Sequence, residues 1–188
     1  KPTVVLSHGY CLTSECWVLQ RRALKRAGYR VVVWDQRGHG RSGKGATPGY
    51  HIDQLGKDLH AVLEAVAPTG DLALGGHSMG GMTIMAMAAE YPEIIKERTV
   101  AFACIATSPG SIPLASSSFV AASGKQLLER LGPGVFGQLQ RRPELLTNLL
   151  KANRDLEEFL IERYSFASPV PRSVVRLTAK MILGTDLG

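Results

Sequence analysis

The sequence contains little cysteine and no long hydrophobic run. Its three cysteines, Cys11, Cys16 and Cys104, are too few for a disulfide framework, and no histidine pair has zinc-finger spacing. We therefore expect Cys11 and Cys16 to pack as small apolar side chains, with no bound metal, in a cytoplasmic chain. The longest apolar runs, such as residues 100–106, are far shorter than the roughly 18 residues of a spanning helix. The sequence thus predicts a soluble domain without a membrane span.

Acidic residues are outnumbered by basic ones, 16 to 22, which gives a net charge of +6. A cluster of basic residues falls on and just after a predicted surface helix: Arg21, Arg22, Lys25, Arg26 and Arg30. No module that combines aromatic and basic residues accompanies them, so we interpret the cluster as a solvated helix face. The sequence predicts no nucleic-acid partner.

Strand-like apolar runs alternate with helical periodicity in the first half of the chain. Strands are predicted over residues 3–6, 30–34, 71–74 and 99–106, and helices over 15–27, 52–66 and 79–91. The strands are apolar throughout, as expected when helices cover both faces of a parallel sheet. This alternation predicts an α/β fold.

After residues 108–110 the character of the sequence changes. No further strand-like run follows, and helices are predicted over 125–131, 144–152, 156–164 and 173–183. Glycine and proline breaks separate these helices. We therefore predict a core of sheet and helices over residues 1–110 and a helical segment over 111–188.

The pentapeptide Gly76-His77-Ser78-Met79-Gly80 follows one predicted strand and opens the next predicted helix. A serine on such a strand-to-helix turn adopts a strained backbone conformation that exposes its hydroxyl. Only small residues two positions before and after it let the strand and helix pass closely, and Gly76 and Gly80 satisfy this requirement. The position of Ser78 between a strand and a helix, with glycines two residues before and after it, predicts that Ser78 is a nucleophile.

Three motifs in order resemble those of the α/β-hydrolase family, in its lid-bearing serine esterase and lipase branch. They are His8-Gly9-Tyr10 after the first strand, residues 35–42 (DQRGHGRS) after the second, and residues 76–81 (GHSMGG) after the third. The resemblance extends over essentially the whole chain. It implies a partial α/β-hydrolase fold, with a central parallel sheet, flanking helices and a helical lid over 111–188.

The resemblance also implies a mechanism that needs no cofactor. Ser78 would attack an acyl carbonyl, and the backbone N–H groups of Met79 and Tyr10 would form the oxyanion hole. The partial positive charge at the helix N-terminus would favour the same oxygen. His8, Gly9, Gly76, His77 and Gly80 would support these motifs. The expected partner is a small-molecule ester with an apolar acyl group.

A base and an acid for Ser78 are harder to find. The family order is serine, acid, histidine, yet no histidine follows Ser78. His8 and His39 lie in loop motifs that the family uses structurally, His77 should point away from its neighbour, and His51 and His60 flank or lie on a surface helix. Asp186 resembles an acid after a strand, but the spacing before it favours a helix.

We therefore expect the catalytic acid and histidine to lie outside this chain. In the family order, the four predicted strands would lie second, first, third, fourth at the centre of an eight-stranded sheet. Their outer edges would then be uncovered, which natural domains avoid. The hypothesis is that the 188 residues are the middle of a longer hydrolase.

Two rivals come from other functional classes. Residues 38–43 match the dinucleotide-binding pattern G-x-G-x-x-G, but Gly45, Pro48 and Gly49 follow where a helix must begin. Residues 38–45 nearly match a phosphate-binding loop, but Gly45 stands where Ser or Thr must hold magnesium. The other rival is a catalytically silent binding protein of the same fold. Among enzymes we favour carboxylic-ester hydrolysis through an acyl-enzyme at Ser78. Cofactor-free haloperoxidase-like and carbon-carbon bond hydrolase chemistry stay open.

Overall fold

The computed structural model describes residues 1–45, 51–109, 161–162 and 165–185. Four parallel strands form one sheet: β1 (Thr3–Ser7), β2 (Arg30–Val33), β3 (Leu72–His77) and β4 (Thr99–Ile105). Their order across the sheet is β2-β1-β3-β4, with every pair parallel. Both the predicted α/β class and the strand order implied by the resemblance are confirmed.

Helices connect these strands, as the alternating sequence pattern predicts. A 3-10 helix (Ser14–Trp17) leads into α1 (Val18–Arg26), and the later helices are α2 (Ile52–Val66), α3 (Met79–Glu90), α4 (Pro92–Arg98) and α5 (Arg172–Gly184). Helix α4 was not predicted from the sequence, although Pro92 at its first turn and Lys96 and Arg98 in its last turn are helix-end signals. The helical interpretation of residues 173–183 is confirmed.

Helices cover both faces of the two inner strands. On one face Val5, Leu72 and Leu74 pack with residues of α2, α3 and α4, namely Leu59, Leu63, Ile84, Met87 and Ile94. On the other face Val4 and Leu6 pack with Trp17. Full burial of each large apolar side chain stabilises the fold by roughly 1.5–3 kcal/mol relative to exposure. This core holds the carboxyl ends of β1 and β3 in fixed positions.

The outer strands differ from the inner ones. Within the described residues no further strand pairs with the outer edge of β2 or of β4. Residues 100–105 of β4 are exposed on both faces, and Val100 retains 60% of its accessible surface and Phe102 48%. The buried part of the sheet is therefore the pair β1 and β3.

The chain divides into two compact units, Lys1–Pro109 with Gly184–Gly188, and Gly110–Leu183. In the second unit, the buried residues of α5 are Val175, Ala179 and Met181. The other predicted helices of the segment 111–188 lie outside the described residues, apart from the end of 156–164, and so does Asp186. The lid assignment stays a prediction. Among the described residues, no helix has the length and apolarity needed to cross a bilayer.

Candidate active site

Ser78 lies between β3 and α3, on what we call the Ser78 turn (residues 76–81). Its φ is 52° and its ψ is −120°, in a region that residues other than glycine rarely adopt. Its N–H donates to the Ile105 carbonyl at the end of β4 over 2.9 Å, so the strained residue is held by the sheet. Strain of this kind persists only where the surroundings over-determine it, and it is common at functional sites.

The glycines of the Ser78 turn permit very close backbone contacts. A Cβ on Gly80 would lie 2.1 Å from the Ser7 carbonyl oxygen, and a Cβ on Gly76 would lie 2.5 Å from the Gly81 nitrogen. Atoms at such distances overlap, so these positions admit no side chain. The structure therefore contains the close contacts between strand and helix for which the sequence predicts small residues at positions 76 and 80.

The loop after β1 lies directly against Ser78. We call residues 8–11 the β1 loop. A Cβ on Gly9 would lie 3.3 Å from Ser78 Cβ and 2.8 Å from His77 Nδ1, so the two segments touch. Tyr10 follows Gly9, is 54% exposed and contacts the ring of His39 edge-on. The structure thus brings together the segments that contain Ser78, Met79 and Tyr10.

His8 and His39 are held by backbone groups at both ring nitrogens. Nδ1 of His8 lies 2.8 Å from the Gly9 carbonyl oxygen, and its Nε2 accepts from the Gln36 N–H over 2.9 Å. His39 Nδ1 lies 2.9 Å from the Arg37 carbonyl oxygen, and its Nε2 accepts from the Cys11 N–H over 3.2 Å. These partners require the neutral ring with a proton on Nδ1. Burial lowers the pKa of His8 to about 4.

The remaining histidines also show no contact suited to activating Ser78. Burial lowers the pKa of His77, whose ring lies against Gly9. His60 stacks on Tyr91 with ring centroids 3.8 Å apart, and His51 is exposed at the start of α2. In the part of the chain that the structure describes, no histidine ring forms a hydrogen bond with Ser78 Oγ.

The segment after β2, which we call the Asp35 loop (residues 35–43), is folded around the carboxylate of Asp35. Asp35 accepts from the N–H groups of Ser14 over 2.7 Å and Arg41 over 3.1 Å. Burial alone would raise the pKa of Asp35, but these donors outweigh it and hold the pKa below its ordinary value. Arg37 forms a two-pronged pair with Asp58 on α2, at 2.6 and 2.7 Å. These contacts give both carboxylates structural roles.

The Asp35 loop does not have the geometry of a nucleotide site. It closes on itself through a bond from Gly38 N–H to the Gly43 carbonyl, 3.0 Å long. Gly38 and Gly40 have φ values of 73° and 53°, so these glycines serve the turns of the loop. No helix starts at residues 38–45, which the structure describes in full, so the helix N-terminus that a phosphate site of this kind needs is absent there, as predicted from the sequence.

Comparison with known proteins decides the family. The family model described as serine aminopeptidase, S33, matches residues 1–162. The chain belongs to the α/β-hydrolase family. RutD of Variovorax paradoxus, whose name describes a carbamate hydrolase, is 31% identical over 137 residues, which are 73% of this chain and 49% of that relative. The bifunctional esterase/perhydrolase DCH of Acinetobacter calcoaceticus is 36% identical over 91 residues, 48% of this chain and 32% of that relative.

Solved structures agree on the fold of this α/β-hydrolase. The esterase EaEST of Exiguobacterium antarcticum superimposes with a TM-score of 0.66 and 18% identity, over 98% of this chain and 61% of the esterase. At that identity the likeness concerns the fold alone. The chain spans about half or less of the length of the two curated relatives named above.

Three polar residues near the site were not found by the sequence analysis. Thr107 Oγ1 donates to the Ser78 carbonyl over 2.7 Å. Thr83 Oγ1 lies 2.6 Å from Gln36 Oε1, and fully buried Gln36 also donates to the His8 carbonyl. Single threonines and glutamines carry no local signal of such long-range contacts. Gly81, the extra glycine of the Ser78 turn, is the one hint that another segment packs there.

Proposed function

We propose that this α/β-hydrolase chain carries the nucleophile and oxyanion hole of a serine esterase. Ser78 is the nucleophile, and the backbone N–H groups of Met79 and Tyr10 are the oxyanion donors. The observation that carries the proposal is the strained backbone of Ser78 at the N-terminus of α3, in contact with the β1 loop. This arrangement matches the nucleophile turn of serine hydrolases of this fold.

The reaction would proceed in two displacements. Ser78 Oγ attacks the ester carbonyl carbon while its proton passes to a base, and the carbonyl oxygen becomes an oxyanion that accepts from the two N–H groups. The ester bond breaks, and the base returns the proton to the departing alcohol. Water then attacks the acyl-enzyme in the same manner and releases the acid. The partial positive charge of the α3 N-terminus favours both oxyanions.

The base and acid would come from residues outside the chain. Each of the five histidines either makes other contacts or lies away from Ser78 Oγ. The carboxylates of Asp35 and Asp58 form hydrogen bonds that stabilise the fold. A serine hydroxyl is a weak nucleophile without a base. Ester hydrolysis is therefore expected from the product of the full open reading frame, and little or none from the 188 residues alone.

A panel of p-nitrophenyl esters, from acetyl to decanoyl, tests the function. The full product should hydrolyse them with a kcat/KM that rises with acyl length, because an apolar acyl group is expected. Replacement of Ser78 by alanine should reduce kcat about 10⁴-fold or more. Turnover that persists in Ser78→Ala would show that another group performs the reaction. A full product with no turnover would favour the catalytically silent binding protein.

Perhydrolysis is a second candidate, favoured by the likeness to an esterase/perhydrolase. The same acyl-enzyme would be attacked by hydrogen peroxide instead of water, which yields a peracid and needs no cofactor. Bromination of monochlorodimedone in the presence of acetate, peroxide and bromide measures the peracid. Bromination that depends on Ser78 would establish this activity beside ester hydrolysis, and its absence would restrict the function to hydrolysis.

A further inference from the structure

Thr107 contacts the peptide unit that contains the proposed oxyanion donor. Its hydroxyl donates to the Ser78 carbonyl oxygen over 2.7 Å. That carbonyl and the Met79 N–H belong to one peptide unit, which is planar and trans, so the two groups point in opposite directions. A restraint on the Ser78 carbonyl therefore sets the direction of the Met79 N–H.

The backbone before Thr107 is shaped for this contact. Ala106 has a φ of 47°, one of three positive values at residues other than glycine in the described chain. An L-residue adopts this conformation only at a cost, so the surroundings must hold it there. Ile105, just before, accepts from the Ser78 N–H over 2.9 Å. Residues 105 and 107 thus bond to the N–H and the carbonyl of the same serine.

Gly81 makes room for Thr107 on the helix side. A Cβ on Gly81 would lie 2.6 Å from both Thr107 Oγ1 and Thr107 Cγ2. Any larger residue would displace the hydroxyl from the Ser78 carbonyl. The strained backbone of Ala106 and the absence of a side chain at Gly81 therefore both favour the hydrogen bond from Thr107 to the Ser78 carbonyl.

The helix alone restrains the Ser78 carbonyl less completely. Its other donors are the N–H groups of Gly81 over 2.9 Å and Met82 over 3.3 Å, both within α3. Thr107 approaches from a different segment and adds a restraint that does not depend on the helix. A further donor on a carbonyl also polarises its peptide, which strengthens the N–H at the opposite end as a donor.

We propose that Thr107 is a positioning residue for the esterase reaction, whose hydroxyl aims and polarises the Met79 N–H toward the oxyanion. The proposal rests on the proposed function of Ser78. It concerns the transition state specifically, because the ground-state carbonyl oxygen demands less of the donor than the oxyanion does. Loss of the hydroxyl should therefore lower kcat and leave KM nearly unchanged.

The test compares three variants of the full open reading frame product. Thr107→Val removes the hydroxyl at nearly constant shape, and Thr107→Ser keeps it. Thr99→Val is the matched control, since Thr99 begins β4, the strand that Thr107 follows, and its hydroxyl donates to the Ile94 carbonyl over 3.0 Å. Because loss of a whole oxyanion donor costs about 10²–10³ in kcat, Thr107→Val should lose about 10- to 100-fold. Thr107→Ser and Thr99→Val should stay near wild type.

A second readout does not require activity. The ¹⁵N resonance of the Met79 amide senses a hydrogen bond to the Ser78 carbonyl, so it should move in Thr107→Val and stay in place in Thr99→Val. An unmoved Met79 resonance, or a Thr107→Val variant with wild-type kcat, would overturn the proposal. A wild-type protein without ester hydrolysis, in which the resonance still moves, would instead contradict the esterase function and leave the positioning contact established.

Discussion

Two glycine-rich turns follow strands on either side of β1, and they use glycine for different purposes. In the Asp35 loop, Gly38 and Gly40 take the positive φ values and the chain closes on itself. In the Ser78 turn the glycines have ordinary φ values, and the serine alone has a positive one. There, glycine provides only space for backbone and neighbouring segments.

The comparison shows what a glycine pattern can and cannot indicate. Glycines that supply turns make a structural loop, even when their spacing matches a nucleotide motif. Glycines that supply space, beside a residue that bears the strain, make a site where a hydroxyl is presented at a helix N-terminus. Substitutions in the two turns should therefore destabilise the protein for different reasons, namely steric overlap in the Ser78 turn and a strained backbone in the Asp35 loop.

The largest effect is expected at Gly80. Its Cβ would overlap the backbone of Ser7, which belongs to a buried strand and has no room to move. Gly80→Ala should lower the free energy of unfolding by about 3 kcal/mol or more, measured by urea denaturation. A variant as stable as wild type would show that the close approach of α3 to β1 is not required.

The next effect concerns His8, whose ring accepts from the Gln36 N–H in the Asp35 loop. Its pKa is about 4 in the folded protein and 6.5 in the unfolded chain, so the unfolded state binds more protons between these values. Stability from this group is complete above pH 6.5 and is lost as the pH falls toward 4. At ~1.4 kcal/mol per pKa unit, the loss amounts to a few kcal/mol.

Urea denaturation from pH 7.5 to pH 4 measures this loss. His8→Gln should flatten the decline, whereas His51→Gln, at an exposed position, should keep it. His77, whose pKa burial also lowers from 6.5, contributes in the same pH range, whereas the contribution of Asp35 is lost only below about 3.8. The difference between wild type and His8→Gln therefore isolates His8. Equal slopes in wild type and His8→Gln would contradict the neutral, bonded state of this ring.

A smaller effect is expected in the Asp35 loop. An alanine at Gly40 must hold a φ of 53°, and its Cβ would lie 2.5 Å from Asp35 Oδ2, a side-chain atom. Gly40→Ala should cost about 1–2 kcal/mol, mostly from the left-handed backbone. Gly43→Ala is the control, because a Cβ there meets nothing within 4 Å. A variant at position 43 as damaged as that at position 40 would refute the turn-forming role.

Much of this fold could be predicted because its signals are local. The 3.6-residue period of Ile52–Val66 gives α2 with its observed bounds, and the apolar runs give all four strands. Helix α4 was not predicted because it is only seven residues long, too short for a clear helical period. The bonds of Thr107 to Ser78, of Thr83 to Gln36 and of Gln36 to His8 were not predicted because they join residues 28 or more positions apart.

The site could be predicted only in part, for a related reason. Ser78 carries its motif in sequence, whereas the base and acid of such a site come from distant positions. Asp35 could be placed in a loop motif, but its bonds to Ser14 and Arg41 became visible only in the folded chain. The cytoplasmic location and the lid role of the segment 111–188 stay predictions.

The central claim is that the Ser78 turn, and not the Asp35 loop, presents an activated serine. The direct test is the intact mass of the full open reading frame product after incubation with a fluorophosphonate probe, for wild type, Ser78→Ala and Ser42→Ala. Ser42 is the control because its hydroxyl donates to the Asp35 carbonyl, 2.6 Å away. The account predicts one adduct on wild type and on Ser42→Ala, and none on Ser78→Ala. An adduct that survives in Ser78→Ala, or a wild-type protein without any adduct, would contradict it.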